Sequence, residues 1–235
     1  SPCNPSGVVY TGEEIAALME VAVENDLWVL SDEVYEKLIY DDLEHVSPAG
    51  LSEQAYDHTI TFNAVSKTYA MTGWRIGYAA GPQEVIEAAG RLQSNMTSGP
   101  NSIAQKAAVE AIEGDQSDVE EMRQTFASRR DLIVEGLNDI DGVSCVRPEG
   151  AFYALPDCGE LIGHTYGDSR VENSVALSEG LLEEVLLAVV PGAESKRSFR
   201  FVPGEGLGPA GDPPDPATTV HAAYGAGGEL LGVAI

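Results

Sequence analysis

The chain has 235 residues, 43% of them hydrophobic, enough for one sizeable core or two modest domains and too apolar for a wholly disordered chain. Aspartate and glutamate number 38 against 13 lysines and arginines, a net charge of −25, which argues against nucleic-acid backbones and acidic membrane surfaces as partners. No stretch approaches the roughly 20 uninterrupted apolar residues of a membrane span.

In chain order, Pro5-Ser6-Gly7 is a turn. Thr11 with Glu14 spells a capping box, and Ile15, Leu18, Met19 and Ala22 continue it as a helical stripe. Leu27-Trp28-Val29-Leu30, Thr59-Ile60-Thr61-Phe62 and Ile76-Gly77-Tyr78-Ala79-Ala80 are short apolar runs of the buried-strand type. Helical patterns cover 83–92, 102–112 and 118–137, the last long and charged along one side. Strands alternating with helices predict an α/β layer with a buried, largely parallel sheet. Beyond the long helix, 143–146 and 151–155 read as a strand pair around Pro148-Glu149-Gly150, and 173–186 as a helix leading into Leu187-Ala188-Val189-Val190. This second block is smaller and α+β in character. The expected domains are therefore 1–125, 126–202 and, from 203 to 235, an irregular tail rich in Gly, Pro and Ala.

The acids are spread along the chain, which predicts a surface that stays soluble when salt screens repulsion, as in proteins of extreme halophiles; an acidic binding face is the rival reading. Cys3, Cys145 and Cys158 are scattered and odd in number. They predict no disulfide framework and no structural zinc, fit a reducing cytoplasm, and read as small buried apolar residues. The start, Ser1-Pro2-Cys3-Asn4-Pro5, has no basic segment followed by an apolar run, so no secretory leader is expected. Without an initiator Met the chain reads as a segment, or as a processed or mispredicted start.

Four lysines occur in all: Lys37, Lys67, Lys106 and Lys196. Lys67 follows a predicted buried strand, where a partly desolvated amine can act as a nucleophile; an exposed, solubilising lysine is the plainer alternative. Asp32 also follows a strand, so both belong at the carboxyl edge of the sheet, where ligands of open α/β sheets bind. Tyr35 lies three residues beyond Asp32. Asp32 could instead cap a helix, and Tyr35 could simply pack. Arg75 suits a phosphate or carboxylate, or an ion pair with one of the many acids. Asn4 could be a turn residue only.

Asn4-Pro5-Ser6-Gly7, then Ser31-Asp32-Glu33-Val34-Tyr35, then the run from Ser66-Lys67-Thr68 through Thr72-Gly73-Trp74-Arg75-Ile76-Gly77-Tyr78 closely resemble the pyridoxal-phosphate aminotransferases of class I/II, fold type I, and among them the prokaryotic aspartate and aromatic aminotransferases. The likeness continues through Asn101-Ser102-Ile103-Ala104-Gln105-Lys106 and Arg147-Pro148-Glu149-Gly150-Ala151-Phe152-Tyr153, to about Gly192. The resemblance implies the C-terminal part of a large domain, a mostly parallel sheet with helices on both faces, plus a smaller α+β domain. It implies pyridoxal 5′-phosphate held covalently by Lys67, with Asp32 at the pyridine nitrogen, Tyr35 and Asn4 at the ring oxygen, and Ser66 and Arg75 at the phosphate. Amino acids and 2-oxo acids would be the substrates, with neither nucleic acid nor membrane as partner. The family is homodimeric.

Two departures bear on activity. Ala64 stands where the family carries Gly or Ser, and no Arg or Lys follows Arg200, so the family's carboxylate-gripping arginine has no counterpart; Arg197 and Arg200 are out of place for it. The family's upstream phosphate loop and ring-stacking aromatic lie outside this sequence. A lyase of the same fold, and an inactive portion of such an enzyme, stand as alternatives.

Overall fold

The computed structural model describes residues 1–167, 169–192, 221–224 and 230–234. The chain divides into two units. One holds Ser1–Ser128, Pro148–Phe152 and the strand pair near the C-terminus; the other holds Arg129–Arg147 and the described residues from Tyr153 to 192. The turn at 148–152, expected in the smaller domain, thus belongs to the first unit, because Gly7 and Leu38 take up its backbone hydrogen bonds.

In the first unit α1 (Gly12–Glu24) starts where the sequence says. The Thr11 hydroxyl accepts from the Glu14 amide and the Glu14 carboxylate accepts from the Thr11 amide, which satisfies two of the orphan donors of the first turn. The inward stripe Ile15, Met19 and Ala22 packs with Tyr10, Val29 and Ala55 in one core cluster. Each large apolar side chain buried there contributes about 1.5–3 kcal/mol.

The sheet runs, in spatial order, β3 (Gly77–Ala80), β2 (Thr59–Ala64), β1 (Val29–Asp32), β9 (Leu230–Ala234) and β8 (His221–Tyr224). β1 (Val29–Asp32) and β2 (Thr59–Ala64) are parallel, with Val29 opposite Thr59 and Asp32 opposite Phe62. Between them lies α2 (Glu53–Asp57), capped by Ser52. β3 (Gly77–Ala80) departs from the expected buried parallel strand: it runs antiparallel to β2 and is exposed along its whole length. Between β2 and β3 the chain forms only the four-residue α3 (Val65–Thr68) and one tight turn, with no long crossover helix of the kind that usually joins parallel strands. A second cluster, Val65, Ile76, Ala104 and Ala108, packs α3 against α5 (Ser102–Glu113), whose N-cap is Asn101. α4 (Gln83–Thr97) buries none of its residues.

The chain passes into the second unit within α6 (Ser117–Asn138). The expected strand pair is displaced. β4 (Ser144–Cys145) pairs with β5 (Pro156–Asp157), while Gly150 bridges Ile39 in the first unit. The Pro148-Glu149-Gly150 turn does not hinge a hairpin, because the Glu149 and Gly150 amides donate to the distant Gly7 carbonyl. β6 (Thr165–Tyr166) and β7 (Ser169–Arg170) form a small hairpin, and α7 (Ser174–Val185) follows its Asn173 cap. Residues 187–190 form no regular element. Cys145 is buried, whereas Cys3 and Cys158 are half-buried, so the expectation of three buried cysteines holds for one.

The irregular tail is corrected over two segments. β8 (His221–Tyr224) and β9 (Leu230–Ala234) form an antiparallel pair, and β9 adds to β1 in parallel, Val29 opposite Val233. The ladder is made by backbone groups, so the open edge of β1 can recruit a segment with no side-chain alternation. The rest of 203–235, with Arg197 and Arg200, lies outside the described residues.

Candidate active site

Because β1 and β2 are parallel, their carboxyl ends lie at the same edge of the sheet, and the sequence places its two strongest candidates there. Asp32 ends β1 with an exposed side chain, and its Oδ1 accepts from the Val34 amide at 3.2 Å, so it caps a turn and not a helix. That turn carries Tyr35 back into the core: the Leu38 amide donates to the Tyr35 carbonyl, and the Tyr35 ring is buried.

Lys67 sits in α3, directly beyond β2, and is half-buried. Its Nζ lies 5.9 Å from the Tyr35 ring centroid and 5.3 Å from that of Phe152. The Tyr35 and Phe152 rings meet edge-on, 5.5 Å apart, and Phe126 stacks on Phe152 at 5.3 Å. Two aromatic rings from distant parts of the chain thus flank the amine, with Phe126 stacked on one of them. The quadrupoles of the Tyr35 and Phe152 rings attract it as an ammonium.

The N-terminal loop reaches the same edge. The Ser1 amine donates to the Asp32 carbonyl at 3.2 Å. Asn4 follows three residues on, its side chain exposed. The loop is fixed from behind at Gly7, whose carbonyl accepts from the Glu149 and Gly150 amides. Ser66 is half-buried beside Lys67. Arg75 is exposed, holds a left-handed backbone (φ 54°) and turns its Nη1 onto the Thr72 carbonyl at 2.8 Å. The structure thus brings Lys67 and Tyr35 together directly, sets Asp32 on the neighbouring strand end, and aims Arg75 at its own turn.

Sequence reasoning missed what surrounds these residues. Phe126 gives no signal before the fold closes, and Phe152 appears only within a motif. Beneath the site, buried Glu33 accepts from the hydroxyls of Ser31 (2.9 Å) and Ser47 (2.7 Å) and meets His45 Nε2 at 3.0 Å. Burial alone would push its carboxyl up. The hydrogen bonds of His45, Ser47 and Ser31 outweigh that and leave it below the usual carboxylate range. Glu36 accepts from Asn63 Nδ2 at 2.8 Å, tying the turn after β1 to β2.

The family model of aminotransferase class I and II matches residues 1–204, and the chain belongs to that family. It is 50% identical over 203 residues to an aspartate/prephenate aminotransferase of Cereibacter sphaeroides, covering 86% of this chain and 51% of that protein. It is 48% identical over 193 residues to an aspartate aminotransferase of Bacillus subtilis, covering 82% and 48%. Among solved structures, the aspartate aminotransferase of Rhizobium meliloti superposes with a TM-score of 0.77 at 44% identity, over 81% of this chain and 48% of that one. An aromatic aminotransferase of Pyrococcus horikoshii gives 0.73 at 41% identity, over 82% and 49%. The fold is that of these aminotransferases, and the chain spans about half the length of the relatives it matches. Among the described residues no helix is long and apolar enough to cross a membrane.

Proposed function

We propose that this chain carries the lysine-bearing part of an aminotransferase that moves an amino group between an amino acid and a 2-oxo acid with pyridoxal 5′-phosphate. The observation that supports the reading most directly is the amine of Lys67, half-buried against Tyr35 and Phe152 at the edge where Asp32 ends the neighbouring strand.

The residues fit the coenzyme in their chemistry. An amine, a carboxylate, a phenol, an amide, a hydroxyl and a guanidinium match an aldehyde, a pyridine nitrogen, a ring oxygen and a phosphate. Lys67 would hold the coenzyme through Nζ; Asp32 would face the ring nitrogen; Tyr35 and Asn4 would donate to the ring oxygen; Ser66 and Arg75 would hold the phosphate. When bound, pyridoxal phosphate supplies an electron sink for the charge left at an amino acid's Cα.

The chain's own groups do the rest. Lys67 Nζ, as a free amine, would take the Cα proton and return it two bonds further along, to the carbon on the far side of the amino nitrogen. Asp32, as a carboxylate, keeps a proton on the nitrogen it faces. Tyr35 and Phe152 screen one side of the amine from water, which strengthens the electrostatic interactions around it. Arg75 reaches an anion by releasing the Thr72 carbonyl, a neutral acceptor that a phosphate outcompetes.

Binding tests this more directly than turnover, since the chain spans about half the length of its relatives. The chain is mixed with pyridoxal phosphate, reduced with borohydride and digested, and the labelled lysine is located by mass spectrometry. The expected label is on Lys67, lost in Lys67→Ala together with the visible absorption band. An unchanged band in that variant, or a label on Lys37 or Lys106 instead, overturns the assignment.

A further inference from the structure

A cluster behind the candidate active site has the makeup of a metal centre. One oxygen each of Glu33 and Glu36 and one ring nitrogen of His45 all lie within 4.8 Å of one another. Two carboxylates and an imidazole are brought together by the turn after β1 and the loop before residue 48.

The partners of these three groups are arranged as an outer shell. Glu33 spends Oε1 on the hydroxyls of Ser31 and Ser47 and turns Oε2 to His45 Nε2, 3.0 Å away. Glu36 is oriented by the Asn63 amide on Oε1, which leaves its other oxygen available. Ligating carboxylates are commonly fixed by hydrogen bonds of this kind. Around a zinc ion at about 2.0–2.1 Å from each ligand, neighbouring ligand atoms stand roughly 3.4 Å apart, so modest side-chain shifts close the site.

The cluster also has an entrance. A cavity of about 260 Å³ is lined by Glu36, Asp42 and His45, with Lys37, Leu43 and Arg123. The two cations there oppose a metal, but Arg123 is already engaged by both Glu120 carboxylate oxygens and donates Nη1 to the Ile39 carbonyl. Glu33, Glu36 and Asp42 outnumber the remaining Lys37.

We propose that Glu33, Glu36 and His45 bind a divalent transition cation of the zinc and manganese class, with its open positions facing this cavity. The imidazole favours that class over calcium and magnesium, which prefer oxygen alone, and the absence of a thiolate in the set disfavours copper(I). Such an ion would clamp the loop carrying His45 to the end of β1, independently of any coenzyme.

The test is calorimetric titration of the chelator-stripped chain with zinc chloride. A chain with 25 net negative charges collects cations indiscriminately, so the titration is run in KCl of about 1 M, where the screening length falls to about 3 Å. The expected result is one tight site, weakened roughly tenfold or more in Glu36→Gln and in His45→Gln. Glu36→Gln keeps an acceptor for Asn63, so it reports on the metal even if His45→Gln fails to fold by circular dichroism. Absence of a tight site in the parent chain overturns the proposal. So does a site of unchanged affinity in folded Glu36→Gln, or one lost on alkylation of Cys3, Cys145 and Cys158.

Discussion

Lys67 Nζ lies 5.3 Å from the centre of the Phe152 ring. The two residues stand 85 positions apart in the sequence, and Phe152 enters the first unit through the 148–152 turn, which docks on Gly7 and Leu38. Among the groups the ring touches are Lys67, Tyr35 and Phe126.

Phe152→Ala removes one edge-on contact, one stacked contact and a cation–π contact at once. Phe152 is 38% exposed, so the loss falls short of that for a fully buried ring: about 2 kcal/mol. Urea denaturation measures it. Phe152→Leu, which keeps bulk but no quadrupole, is expected to lose about half as much.

Gly7 is required by geometry. Its φ is +72°, and a Cβ there would lie 2.3 Å from the Pro148 Cβ and 2.8 Å from the Gly150 carbonyl oxygen. Gly7→Ala is expected to cost about 2–4 kcal/mol by combining backbone strain with a backbone clash, and to loosen the loop that bears Asn4. Gly50→Ala, where a Cβ meets nothing within 4 Å, serves as the control and should shift the thermal midpoint little.

Asp131 organises the second unit. Its Oδ1 accepts from Arg147 Nη2 at 2.8 Å and from Arg130 Nε at 2.9 Å, and Arg130 is buried. The Arg147 guanidinium, aided by Arg130 and opposed by slight burial, holds the Asp131 carboxyl below the usual range. A depressed folded pKa gives stability that is present above the ordinary Asp value of about 3.9 and fades as pH falls through the lower folded value. Asp131→Asn should therefore cost about 1 kcal/mol at pH 7, a modest figure because the carboxylate is half-exposed and screened. The difference from the parent chain should shrink in urea melts near pH 3.

Much of this was legible in the residues themselves. The capping box at Thr11 and Glu14, the β1 and β2 runs, and the helices at 83, 102 and 118 depend on contacts within a few residues, and local chemistry specifies them. Lys67 and Asp32 could be placed at one sheet edge because parallel strands align their carboxyl ends. The direction of β3 could not be read, since an apolar run looks the same either way along the ladder. Nor could β8 and β9, whose pairing depends on the open backbone edge of β1. The docking of 148–152 on Gly7, the rings around Lys67 and the meeting of Glu33 with His45 were decided by closure of the fold alone. Such contacts join residues with no local constraint on each other, and their energy exists only once the intervening chain has been brought together.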